Sequence, residues 1–244
     1  LQNRKFSGSM WPMTEQSKLG EMVDKMLAVG AHFGFGKGRR HASTKPFILI
    51  NKNGTDVIDL SKTDEQVKKA VAYVEELGKG KKVILFVGTK PEAKIAIKDA
   101  AMSLDMPYVT ERWVGGLLTN WNEMKKRIAR RAEILKNKEK NELEKYTKKE
   151  RLLLDRELDG LEVLFGGIST MLKAPDALFV VDPRKESIAI EEASKMGIPV
   201  ISLLNTDCST QNIAYPIVAN DASRKSVSLF VDTICESYKK GLNA

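Results

Sequence analysis

Residues 83–87, VILFV, are followed by Gly88-Thr89 and then by apolar residues at helical spacing, and this strand–turn–helix passage constrains the fold more than any other part of the chain. The run is short, apolar and partly β-branched, which reads as a buried strand. Pro91 sits where a first helical turn tolerates proline. Ala93, Ala96, Ile97, Ala100, Ala101 and Leu104 then mark one helical face. Pro107 restarts an extended piece, Tyr108-Val109, which leads into residues 112–121, RWVGGLLTNW. An arginine, two tryptophans, a Gly-Gly pair and Thr-Asn in one turn are more than packing alone requires.

The same rhythm recurs on both sides. Leu19, Met22, Val23, Met26 and Leu27 predict a short amphipathic helix capped at Gly30. Residues 47–60 predict a hairpin around Asn53-Gly54. Thr63 and Gln66 suggest a capping box for a helix that carries Val67, Ala70, Val71 and Val74 inward and ends at Gly78. Later come strands at 177–181 and 200–204, alternating with helices at 188–196 and 227–238. Strands that alternate with helices predict a parallel sheet covered on both faces, a flavodoxin-like α/β three-layer sandwich.

Residues 121–161 differ in character. Met124, Ile128 and Leu135, then Leu154, Leu158 and Leu161, form narrow apolar stripes among many lysines and arginines, and Thr147 with Glu150 predicts a second helix start. Narrow stripes of this kind are expected to pack against each other as an antiparallel helical hairpin inserted in the sandwich. The expected organisation is an N-terminal arm or expression remnant at 1–16, an α/β domain at 17–120 and 162–244, and the hairpin at 121–161.

A net charge of +8 favours an anionic partner, either nucleic acid or an acidic surface, with a basic soluble enzyme as an equal competing reading. Two distant cysteines form no CxxC pair, which fits a reducing compartment. No apolar run approaches the roughly 20 residues of a membrane helix. The enzyme reading lacks motifs. The glycines at 30–38 fit neither GxGxxG nor GxxxxGK[ST], only His32 and His41 are available as bases, and no GxSxG is present. Asp182 and Asp207 at strand ends could hold magnesium or simply cap turns. His32 reads as a hydrogen-bonded structural histidine. For Trp113 and Trp121, core anchoring is the reading set against stacking on RNA.

FVGTK at 86–90 followed by RWVGGLLTNW resembles the bacterial form of the universal second-protein family of the small ribosomal subunit. The resemblance extends through GAHFG at 30–34, NGTDVIDL at 53–60, YTKKE at 146–150, GGI at 166–168, PDALFVVD at 175–182 and GIPV at 197–200. It departs after GAHFG, where Phe35 replaces the family's second histidine. The resemblance implies a structural, non-catalytic constituent of the small subunit that needs no cofactor. Its partners would be small-subunit rRNA at the head–body junction and neighbouring ribosomal proteins, including the mRNA-binding first protein, with no membrane. It also implies a ribosomal location, cytoplasmic or in an organelle. The expected RNA contacts are Lys37, Arg39, Arg40, His41 and Lys45 in the basic loop, Lys90, Arg112 and Asn120 near the signature, and Lys125, Lys126, Arg130, Arg131, Lys148 and Lys149 on the hairpin. An adaptor that uses the hairpin as a coiled-coil handle, and a nucleotide- or phosphosugar-binding enzyme on the same sheet, are the alternatives.

Overall fold

The computed structural model describes residues 20–140 and 146–243. The arm expected at 1–16, and Leu19 of the first helix, lie outside the described residues. Five parallel strands form the main sheet: β4 (Ile84–Val87), β5 (Tyr108–Val109), β6 (Ala177–Val181), β7 (Val200–Leu204) and β8 (Tyr215–Val218). Their order is β5-β4-β6-β7-β8. The chain therefore moves one way from β4 and the other way from β6, the arrangement of flavodoxin-like sheets. The expected α/β three-layer fold is the observed one.

Side-chain alternation divides the core in two. Ile84, Phe86, Phe179, Val181, Ile201 and Leu203 face α1 (Glu21–Ala28), α2 (Leu60–Lys79), α3 (Lys94–Ser103) and α7 (Arg224–Leu242). Leu85, Val87, Leu178, Val180 and Val200 face α6 (Ser187–Lys195), the 113–118 segment and the feet of α4 (Trp121–Glu139) and α5 (Lys148–Phe165). The strands of β4, β6 and β7 are wholly buried, which is why they read as continuous apolar runs.

A smaller antiparallel sheet, ordered β1-β3-β2, is built from β1 (Phe33–Gly36), β2 (Ile48–Lys52) and β3 (Thr55–Ile58). Asn53 and Gly54 both have positive φ, the geometry a tight two-residue hairpin turn demands. Ile58 packs on Leu204, Cys208 and Val218, so this sheet sits beyond the carboxyl ends of β7 and β8.

Several local expectations need correction. α2 begins at Leu60 with Asp59 as its cap, through Ser61 N–H. Thr63 and Gln66 instead tie the helix to β8: Thr63 Oγ1 donates to the Val218 carbonyl and Gln66 Oε1 accepts from Val218 N–H. β8 is hard to read because it is short and contains Pro216, and β1 because it has four residues of which two are glycine. Met124, Leu161 and Phe165 belong to the sheet's own core, so the helical pair does not bury its stripes only on itself. Thr147 and Glu150 do form the reciprocal capping box.

α2 and α7 cross at two glycines. A Cβ on Gly78 would lie 2.5 Å from the Tyr238 carbonyl oxygen, and one on Gly241 would collide with the Glu75 carbonyl. Gly78 therefore packs backbone on backbone inside the helix and does not end it. Backbone atoms cannot yield as a side-chain tip can, so Gly78→Ala should cost about 2–3 kcal/mol. A thermal melt that matches wild type would show that the helices are not in that contact.

Candidate nucleic-acid interface

The signature turn is folded around a carboxylate. Glu192, on α6, is only 5% exposed. Its Oε1 accepts from Trp113 Nε1 at 3.1 Å and Gly116 N–H at 2.7 Å. Its Oε2 accepts from Leu118 N–H at 2.9 Å, and from Thr119 N–H and Oγ1 at 3.2 Å each. Burial alone would raise this carboxyl's pKa, but the donors outweigh it and hold the group below the ordinary carboxylate range. Gly116 carries φ +88°, a left-handed conformation that glycine adopts without strain. Sequence reasoning missed Glu192 altogether, because on a helix it looks like any other charged residue.

This cradle decides what the turn presents. Trp113 is buried with its indole N–H satisfied, so it anchors the core. Arg112 and Asn120 remain exposed at either end, and Asn120 makes no side-chain cap to α4. Trp121 is half-buried, and Lys125 Nζ lies 5.8 Å from its ring centre.

The basic loop wraps the carboxyl end of the sheet. Phe35 N–H donates to Thr206 Oγ1, and His41 N–H and Thr44 Oγ1 both donate to the Thr206 carbonyl. Thr206 follows β7, so the loop is fixed where ligands gather in open α/β sheets. Lys37, Arg39, His41 and Lys45 are exposed there, with Arg39 over the Phe35 ring at 5.6 Å. Arg40 differs. Its guanidinium forks onto the fully buried Asp56 through Nε, at 2.7 Å, and Nη2, which makes it a brace for the small sheet.

Lys90 also turns inward, against the expectation of an RNA contact. Its Nζ lies 2.9 Å from Asp221 Oδ2 and 3.3 Å from Asp182, beyond the ends of β4 and β6. The Asp221 contact is an ion pair without hydrogen-bond alignment, since Oδ2 has no hydrogen-bond partner. Burial lowers the Lys90 pKa, but the two carboxylates outweigh it and leave it above its usual value. The crevice between β4 and β6 is thus filled by the protein's own charges.

Along the helical pair only part of the charge is matched among the described residues. Lys126 pairs with Glu123, Arg130 with Glu133 and Glu157, and Arg131 with Glu162. Lys148 and Lys149 are exposed in the first turn of α5 and have no ion pair among the described residues.

The enzyme reading gains no support from titratable groups. Cys208 and Cys235 are buried free thiols, both pushed up by burial, Cys235 to about 12, so neither is an activated nucleophile. Asp182 and Asp207 both accept weakly from the Cys208 thiol, and Asp207 pairs with Arg184 at 2.9 Å. Among the described residues no group of three or more metal-ligating side chains comes together. His32, read as a hydrogen-bonded histidine, packs on Phe33 with Nδ1 buried and without a partner among the described residues.

Glu192→Gln should destabilise the protein by about 2–4 kcal/mol, since the amide loses one acceptor and turns N–H groups toward N–H donors. Because the folded carboxyl titrates below its ordinary value of 4.5, its contribution is complete above that pH and is lost as pH falls through the folded pKa. The gap between wild type and variant should therefore narrow only below about pH 4.5. A variant as stable as wild type at pH 7 would remove Glu192 from this role.

Comparison with known proteins agrees with the motifs. The family described as ribosomal protein S2 matches residues 26–241. The small ribosomal subunit protein uS2 of Coprothermobacter proteolyticus is 40% identical over 219 residues, which cover 90% of this chain and 82% of the relative. That of Chlorobium chlorochromatii is 41% identical over 215 residues, 88% of this chain and 86% of its own. That of Micrococcus luteus is 41% identical over 225 residues, 90% of this chain and 78% of its own. With the sheet order, the signature turn and nearly its whole length in agreement, the chain belongs to the ribosomal protein S2 family.

Proposed function

We propose that this protein is a structural constituent of the small ribosomal subunit that binds small-subunit rRNA by shape and charge in translation. Family membership supports that role, which is structural and not catalytic. The observation that carries the RNA contact is the division among the basic residues. Lys37, Arg39, Lys45, Arg112, Lys148 and Lys149 are exposed and make no ion pair among the described residues, while Arg40, Lys90, Arg130 and Arg131 are committed to carboxylates. Lys148 and Lys149 sit at the positive end of a helix, where cations destabilise it. Folding does not account for them; a polyanion does.

In this reading the hairpin at 121–161 and the loop at 37–45 form two arms around irregular RNA, with Arg112, Asn120 and Lys125 between them. His41 completes the loop, while Lys126, Arg130 and Arg131 stay on Glu123, Glu157 and Glu162 and contribute little to the phosphate contacts. Neighbouring ribosomal proteins, the mRNA-binding first protein among them, dock on the remaining surface of the cytoplasmic small subunit. No described helix is long and apolar enough to cross a membrane.

Affinity for small-subunit rRNA should fall by about tenfold or more over a few-fold rise in salt, because each neutralised phosphate releases counterions. Arg112→Ala should weaken that affinity and leave the melt unchanged. Replacing residues 128–157 with a short Gly/Ser linker, which removes Ile134 but spares Met124, Leu158, Leu161 and Phe165, should leave a folded sandwich that enters small subunits poorly. Filter binding, melts and subunit sedimentation read these outcomes. A flat salt response, or normal entry of the truncated protein, contradicts the proposal.

A further inference from the structure

The crevice between β4 and β6 is closed by Lys90, but a second cleft of about 310 Å³ opens beside it, toward β5. It is lined by Thr89, Glu111, Arg112, Trp113, Lys185, Glu186 and Ile188, so it lies on the carboxyl side of the topological switch point. That volume is at the small end of ligand sites, which run from about 300 to 1,000 Å³.

Its lining is chemically divided. Glu186 is 3% exposed, and its Oε1 accepts from Thr89 N–H at 3.2 Å and Oγ1 at 2.5 Å. No hydrogen bond reaches its Oε2 among the described residues, so a carboxylate oxygen of a cleft-lining residue is left with room for a donor. Burial pushes this carboxyl up, as expected of a group that lacks a full set of donors. On the rim, Arg112 is exposed without an ion pair among the described residues, and Lys185 Nζ spends one N–H on the Thr89 carbonyl at 3.0 Å. Ile188 is 54% exposed and adds an apolar wall. Cations on the rim call for an anion, a half-satisfied carboxylate on the floor calls for a hydroxyl or N–H, and the apolar wall calls for a flat or aliphatic face. A ribonucleotide carries all three within one residue's length, and an acidic side chain near a switch point suits a ribose hydroxyl.

We propose that this cleft holds one ribonucleotide, contributed by the bound rRNA, with its phosphate on Arg112 and Lys185, its 2′-hydroxyl donating to Glu186 Oε2 and its base against Ile188. The inference rests on the RNA-binding reading above and assigns to it a point at which RNA is told from DNA.

The test is nucleotide-analogue interference with the full chain and small-subunit rRNA transcripts carrying random 2′-deoxy substitutions. Wild type should show one position at which 2′-deoxy substitution weakens binding by about tenfold, the usual worth of a hydrogen bond to a charged group. Glu186→Gln should reduce the effect at that position alone. Should Glu186→Gln fail to fold, Ile188→Glu at the exposed wall must weaken the same position selectively. No position sensitive in wild type and relieved in the variants overturns the proposal, while salt-dependent binding of the whole transcript would still stand as support for the broader reading. Ribonucleoside and 2′-deoxyribonucleoside monophosphates, titrated with NMR detection, form the second arm. Saturable 2′-hydroxyl-selective binding abolished in Glu186→Gln, without any interference position in rRNA, would assign the cleft to free nucleotides and overturn the RNA source.

Discussion

The five hydrogen bonds to Glu192 hold the rest of the molecule in register. A buried carboxylate is costly unless its oxygens are satisfied, and here an entire turn supplies donors to it. The turn in return is fastened to α6, so β5 leads into α4 in one direction only. Trp113, Leu117 and Leu118 fill the sheet's second face beneath it. Arg112 and Asn120 are set outside because their neighbours are set inside.

The same logic governs the carboxyl edge of the sheet. In many α/β proteins that edge is left open for a ligand. Here Lys90 lies between Asp182 and Asp221, Arg40 is forked onto Asp56, and Thr206 anchors the loop that passes over β7. Internal pairing makes the edge rigid and takes Arg40 and Lys90 away from the surface. The remaining cations face outward on a fixed frame, which suits recognition of a folded polyanion by shape more than it suits a small substrate.

Much of this was legible in the chain. The apolar runs of β4, β6 and β7 and the capping box at Thr147 have signals that lie close together in sequence, and the structure reproduces them. What escaped depends on partners far away. Glu192 meets its turn across 73 to 79 residues, and Gln66 meets Val218 across 152. Lys90 in the FVGTK phrase reads as an RNA contact, and only the arrival of Asp221 shows that its charge is spent inside. β8 carries a proline that argues against a strand until its place at the sheet edge is known. Of the candidate site, sequence supplied the residue types, while the sorting of paired from unpaired cations came from the fold.

That sorting is the central claim, and the salt dependence of rRNA binding tests it most directly. One triple variant replaces the unpaired Lys37, Arg39 and Arg112 with glutamine; a second replaces the carboxylate-paired Lys126, Arg130 and Arg131. Both remove the same formal charge. If unpaired cations make the phosphate contacts, the slope of log affinity against log salt should shrink by about 2 in the first variant and hardly change in the second. Equal loss of slope in both would contradict the account, because binding would then follow net charge and not the geometry that the fold imposes.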